Sequence, residues 1–212
     1  IYTECINYVN KIKNNDLRNC CLEIYKDYKE NLINKPATGG DCHHFYKGGL
    51  LFHLYCVTRN AITIYEMYDY IDLDLDLIIF GALLHDIGKA NEYNDFDIIN
   101  KTGNIYMSNS SKLLGHSYEG TEIVSRYLDK YSIEKEFKLQ ALHMIGSHMK
   151  ELSEWGALIT PKMLEVLIIN YADAMDADME NNRFGINNVL KGEKYNDLMN
   201  NTTFYKSANP EK

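Results

Sequence analysis

The chain has no CxxC pair, no lysine- or arginine-rich stripe, no internal repeat and no apolar run long enough for a membrane. Its five cysteines, Cys5, Cys20, Cys21, Cys42 and Cys56, are odd in number and bunched near one end. That argues against a disulfide framework and a zinc ribbon, and leaves reduced thiols as the expectation. The longest apolar run, Leu77 to Leu84, falls far short of the roughly 20 residues that cross a bilayer. The opening IYTECINYVNKIKNND lacks the charged-then-apolar build of a signal peptide, so a cytoplasmic chain with no membrane segment is expected. Thirty acidic side chains against 22 basic ones give a net charge of −8, which offers no standing attraction to phosphate backbones. Any phosphate-bearing substrate must then be held locally.

What is present is helix. The 212 residues are 45% hydrophobic and 25% charged, an ordinary globular balance at a length suited to one domain or at most two small ones. Apolar residues recur at helical spacing in Leu17 to Leu32, Leu50 to Tyr68, Leu73 to Leu84, Leu113 to Leu128, Phe137 to Met149 and Met163 to Met175, which predicts an all-α fold. In TPKMLEVLIINYADAMDADM, Thr160 reads as an N-cap and Pro161 as the first helical residue, where a missing N–H costs nothing. Gly39-Gly40 and Gly48-Gly49 punctuate the helices, and NKTGN between isoleucines predicts a small loop or hairpin insertion near residues 94–110. The polar, Asn-rich end, residues 181–212, reads as one short helix and a loose tail.

The seven histidines carry the argument, all of them between residues 43 and 148. His53 falls on or beside the buried face of its helix, among Leu50, Leu54, Val57 and Ala61. His85 and Asp86 close the apolar run LDLIIFGALL, and Asp173 interrupts the apolar face of IINYADAMDAD. Each alone reads as a satisfied core residue. Together they place three metal-capable exceptions on three helices, and a divalent cation needs imidazole and carboxylate ligands from several helices at once. Lys89, three residues after Asp86, is either a solvated lysine closing a helix or a cation on the same face as the acid.

The order His53, His85-Asp86, Asp173 resembles the HD superfamily of metal-dependent phosphohydrolases. HHFYKGGLLFH, LLHDIGK, KLLGHSYEG and GSHMKELSEWGALITPKMLEVLIINYADAMDADM are similar to successive blocks of the HD domain in YhaM-type 3′-to-5′ exoribonucleases, over residues 43 to 179. The resemblance implies an HD-domain helical bundle and a first metal held by His53, His85, Asp86 and Asp173. It implies a second metal on His116 and His148, with Asp86 bridging. Where the family often shows two adjacent histidines this chain has SHMK, so Met149 replaces one possible contact; His143 is read as structural. The implied chemistry is in-line attack of a metal-activated water on phosphorus, with Asp86 as the most sensitive ligand and Lys89 on the phosphate. Manganese is favoured, though iron, cobalt, nickel, zinc or magnesium suits the same donors. His44 is expected to touch phosphate or ribose, and Tyr46 and Trp155 are read as packing or base-stacking residues.

Residues 1–42 are read as helices packing on an HD domain at 43–180, too few for the OB-fold that the exoribonucleases add. The first reading is therefore a phosphodiesterase acting on RNA or short oligonucleotides. The second is a nucleotide phosphohydrolase acting on mononucleotides or cyclic dinucleotides. A third, of another class, is a ligand-sensing or interaction module that keeps the metal without turnover.

Overall fold

A computed structural model describes residues 1–40, 42–93, 106–149, 156–197 and 202–209. The described helices are α1 (Tyr2–Val9), α2 (Asn15–Asp27), α3 (Lys29–Asn34), α4 (Gly49–Met67), α5 (Leu75–Leu84), α6 (Asn109–Leu114), α7 (His116–Leu128), α8 (Lys135–Gly146) and α9 (Leu164–Asn188). A 3-10 turn, Ile87–Ala90, follows α5. Two short strands, β1 (Lys194–Asp197) and β2 (Thr202–Tyr205), pair antiparallel after α9. The protein is all-α, with that ribbon as an appendage. No helix among the described residues is long and apolar enough to cross a membrane.

The centre of the bundle is α5. Every residue from Leu77 to Leu84 is buried, as expected for a helix that is hydrophobic all round. It packs against α4, α8 and α9. Asp74 caps its start by accepting from the Leu77 N–H at 3.0 Å. The amino-terminal helices are fastened to the same rod. Asp76 accepts from the backbone N–H groups of Lys13 and Asn14 at 2.7–3.0 Å. At the other end, the buried Tyr25 hydroxyl of α2 donates to the Leu83 carbonyl at 3.1 Å, two residues before His85.

Several sequence expectations need correction. The Leu17–Leu32 periodicity is two helices, α2 and α3, meeting at Tyr28. The Leu113–Leu128 helix breaks at Gly115, whose φ of 77° is a left-handed conformation that ends α6 and starts α7 at His116. The Phe137–Met149 helix stops at Gly146, so His148 sits in the turn beyond. Helix α9 starts at Leu164 with Met163 as an N-cap that makes no side-chain cap bond, so Thr160 and Pro161 precede it outside any helix.

The carboxyl-terminal end differs most from the short helix and loose tail. Helix α9 continues through residues 181–188, and the ribbon folds back on it. The Tyr195 ring lies directly over Gly185, and the Lys206 ammonium donates to the carbonyls of Asn187 and Val189 at 3.3 and 2.7 Å, closing the helix end. Of the insertion expected near 94–110, residues 94–105 lie outside the described residues. Its two ends meet in an antiparallel bridge between Tyr93 and Met107.

Candidate metal centre

The mutual packing of α4, α5 and α9 brings together side chains far apart in sequence. His53, in the second turn of α4 and fully buried, has its Nε2 3.1 Å from Asp173 Oδ1, 3.3 Å from His85 Nε2 and 3.5 Å from Asp86 Oδ2. His85 ends α5, and Asp86 opens the 3-10 turn. Their close approach to α7 depends on Gly88, where a Cβ would lie 2.1 Å from the His116 carbonyl oxygen. As a result the other carboxylate oxygen, Asp86 Oδ1, sits 3.5 Å from both His116 Nε2 and His148 Nε2.

One carboxylate thus faces two nitrogen clusters. Donors about 2.1 Å from a shared ion stand roughly 3.0–3.5 Å from each other, the spacing found in both. Asp86 Oδ1, His116 Nε2 and His148 Nε2 are buried with no hydrogen-bond partner among the described residues. A convergent set of orphaned acceptors is costly without an occupant, and a divalent cation fits it.

The remaining ring nitrogens fix which edge of each imidazole faces inward. His85 Nδ1 donates to the Ala82 carbonyl at 2.9 Å, and His148 Nδ1 to the Ile145 carbonyl at 2.7 Å. A carbonyl only accepts, so the proton is on Nδ1 and the Nε2 lone pair points into the cluster. Burial lowers the His85 pKa to about 4, with Asp86 and Asp173 opposing the shift. Burial, helped by the Lys89 charge, lowers His116 to about 3. Burial would raise Asp86, but Lys89 and His85 outweigh it and hold the carboxyl well below its usual range. Neutral imidazoles and an ionised carboxylate are the forms that bind metal. His53 differs: burial lowers its pKa, yet hydrogen bonds to Asp173, Asp176 and Asp86 outweigh this and raise it well above the ordinary value.

Lys89 is 9% exposed and donates to Asp86 Oδ2 at 2.6 Å. This excludes the solvated lysine and puts its charge at the centre of the cluster. His44 departs from expectation. It is buried with φ 53°, and both ring nitrogens are engaged, Nε2 with Asp176 Oδ2 at 2.7 Å and Nδ1 with the Tyr46 hydroxyl at 2.8 Å. A ring so held has no nitrogen left for phosphate or ribose, and Tyr46 is its hydrogen-bond partner rather than a stacking platform.

The other member of the pair, His43, is half-buried, with its ring 5.2 Å from that of His53. It is the residue that faces the cluster, and sequence reasoning missed it. Asp176 was missed too. Its Oδ2 accepts from His53 Nδ1 at 2.7 Å, and its place one turn after Asp173 was the available signal. His143 lies apart, accepting from the Lys162 N–H at 2.9 Å, a structural role. Trp155 lies outside the described residues.

The family model for the HD domain matches residues 50–178. Among curated proteins the chain is similar to the 3′-5′ exoribonuclease YhaM of Bacillus velezensis, 28% identical over 201 residues that make up 94% of this chain and 61% of the relative. It is likewise similar to YhaM of Listeria monocytogenes, 29% identical over 176 residues, 83% of this chain and 53% of the relative. With YhaM of Bacillus subtilis it shares 28% identity over 203 residues, 94% and 61% of the two chains. The chain therefore spans about three fifths of the length of the first of these relatives. No solved structure matches it significantly. His53, His85, Asp86 and Asp173, brought together by three packed helices, all fall inside the matched segment, and the chain belongs to the HD domain family.

Proposed function

We propose that the chain is a metal-dependent phosphodiesterase that shortens RNA or short oligonucleotides from the 3′ end. The observation that carries this is the division of Asp86: Oδ2 belongs to the cluster of His53, His85 and Asp173, and Oδ1 to that of His116 and His148. In this reading His53, His85, Asp86 and Asp173 would hold one divalent metal, and His116 and His148 together with Asp86 would hold a second, with manganese favoured. Bound there, the metals supply Lewis acidity and an activated water at neutral pH. The protein's own groups supply the rest. Asp86, kept ionised, orients the water and joins the clusters. Lys89, buried and charged, offers its ammonium to the phosphate. His43, partly exposed beside the His53 ring, directs a ring nitrogen toward a phosphate oxygen of the incoming strand. No side chain serves as a covalent nucleophile. RNA is favoured as substrate by the names of the relatives. The nucleotide reading draws its support from the net charge of −8, which suits a small substrate held locally.

The test is chelator-stripped protein, restored with manganese and run beside Asp86→Asn on single-stranded RNA labelled at its 5′ end. A ladder shortening one nucleotide at a time only in restored wild type is the expected result. Intact RNA beside hydrolysed mononucleotides or cyclic dinucleotides would replace this reading with the second.

A further inference from the structure

Four histidines point an Nε2 toward Asp86, and three of them donate Nδ1–H to an acceptor within 2.9 Å: Asp176 for His53, the Ala82 carbonyl for His85 and the Ile145 carbonyl for His148. Among the described residues His116 Nδ1 has no such bond, and Glu92 Oε2 stands 3.8 Å from it. That oxygen is itself buried and has no hydrogen-bond partner among the described residues. An orphaned carboxylate oxygen therefore faces the outer ring nitrogen of His116 across slightly more than hydrogen-bond distance. Because the two nitrogens of an imidazole lie on opposite edges, Glu92 is on the side of His116 away from Asp86 and supports the ligand from behind.

We infer that Glu92 is the positioning residue of the second metal: it accepts the Nδ1–H of His116 and thereby holds the neutral ring with its Nε2 lone pair on the ion. The inference rests on the two-metal reading above. Its chemistry is general, since a histidine ligand needs a partner on its other nitrogen to fix tautomer and orientation. Glu92 is well built for the part. It is 4% exposed, and its backbone is pinned on both sides, N–H to the Lys89 carbonyl at 3.1 Å and carbonyl to the Ser108 N–H at 2.8 Å. Neighbouring Glu119 is occupied by the Ser111 hydroxyl at 3.1 Å.

The experiment measures manganese equivalents and affinities on the full chain by titration calorimetry and elemental analysis, for wild type, Glu92→Gln, Glu92→Leu and His116→Ala. The amide of Glu92→Gln still accepts a hydrogen bond, so it should keep two metals at close to wild-type affinity. Glu92→Leu fills similar volume without an acceptor and should weaken only the weaker-bound second metal, by about 10- to 100-fold. Glu92→Ala serves the same purpose should the leucine variant fail to fold. Combined with His116→Ala, Glu92→Leu should cause no further loss, because the residue acts through His116. Wild type holding two metals while Glu92→Leu matches it in affinity overturns this inference alone, as does a glutamine variant as weak as the leucine one. A wild type that never holds more than one metal overturns the two-metal reading, and this inference with it.

Discussion

The two sides of Asp86 differ in how they stand without a metal. On the Oδ2 side the inward-facing atoms contact one another: the Lys89 ammonium meets Asp86 Oδ2 at 2.6 Å, His53 Nε2 meets Asp173 at 3.1 Å, and His85 Nε2 meets His53 at 3.3 Å. On the Oδ1 side the carboxylate oxygen and the Nε2 atoms of His116 and His148 are buried and have no hydrogen-bond partner among the described residues. One half of the cluster is stabilised by a lysine and a proton standing where a cation would. The other keeps open lone pairs, at the expense of desolvating them. Proximity of metal-capable side chains is therefore the lesser signal here. An unsatisfied set of them is the greater one.

The largest effect should come from removing the residue both sides share. Asp86→Asn is expected to bring turnover to background and to lower manganese binding in both halves while leaving the far-ultraviolet circular dichroism nearly unchanged. Full activity in that variant would break the comparison outright. Lys89→Met probes the satisfied half. Removing one partner of a buried pair typically costs about 3–5 kcal/mol, so denaturant unfolding in chelator should show a loss of that order. Manganese should restore most of it, since a cation then faces the abandoned carboxylate. An equal loss with and without metal would mean that Lys89 is a packing residue only.

Asp176→Asn should act more narrowly. Loosening the support behind His53 is expected to weaken the first metal by about 10- to 100-fold and leave the second unchanged, which paired titrations would reveal. The smallest effect belongs to His43→Ala, which touches neither half directly. It should raise KM for RNA several-fold with metal content and thermal stability as in wild type, as expected for loss of roughly one hydrogen bond of 0.5–1.5 kcal/mol. A fall in bound metal would instead make His43 part of the cluster.

Much of this was legible beforehand. His53, His85, Asp86 and Asp173 were visible because each breaks an apolar face at helical spacing, and the structure brings all four together. The carboxyl end of α9 was not, because MENNRFGINN carries too little apolar periodicity to read as helix; it is held by Tyr195 and Lys206 from the ribbon. The capture of His44 was equally hidden. His44 is captured by Asp176, 132 residues away, and no local pattern reports a partner at that distance. Gly115 was readable as a glycine but not as a break, since apolar residues continue at helical spacing on both sides of it.

The clustered donors come from α4, from the end of α5, from the start of α7, from the turn after α8 and from α9. No fragment of the bundle holds them all. A chain still emerging from a ribosome presents His53 and His85 long before Asp173, and its last donors arrive with the final long helix. Metal capture is therefore a signature of completed assembly: an ion that binds only the finished arrangement adds about 2.7 kcal/mol to its stability at one hundred times the dissociation constant.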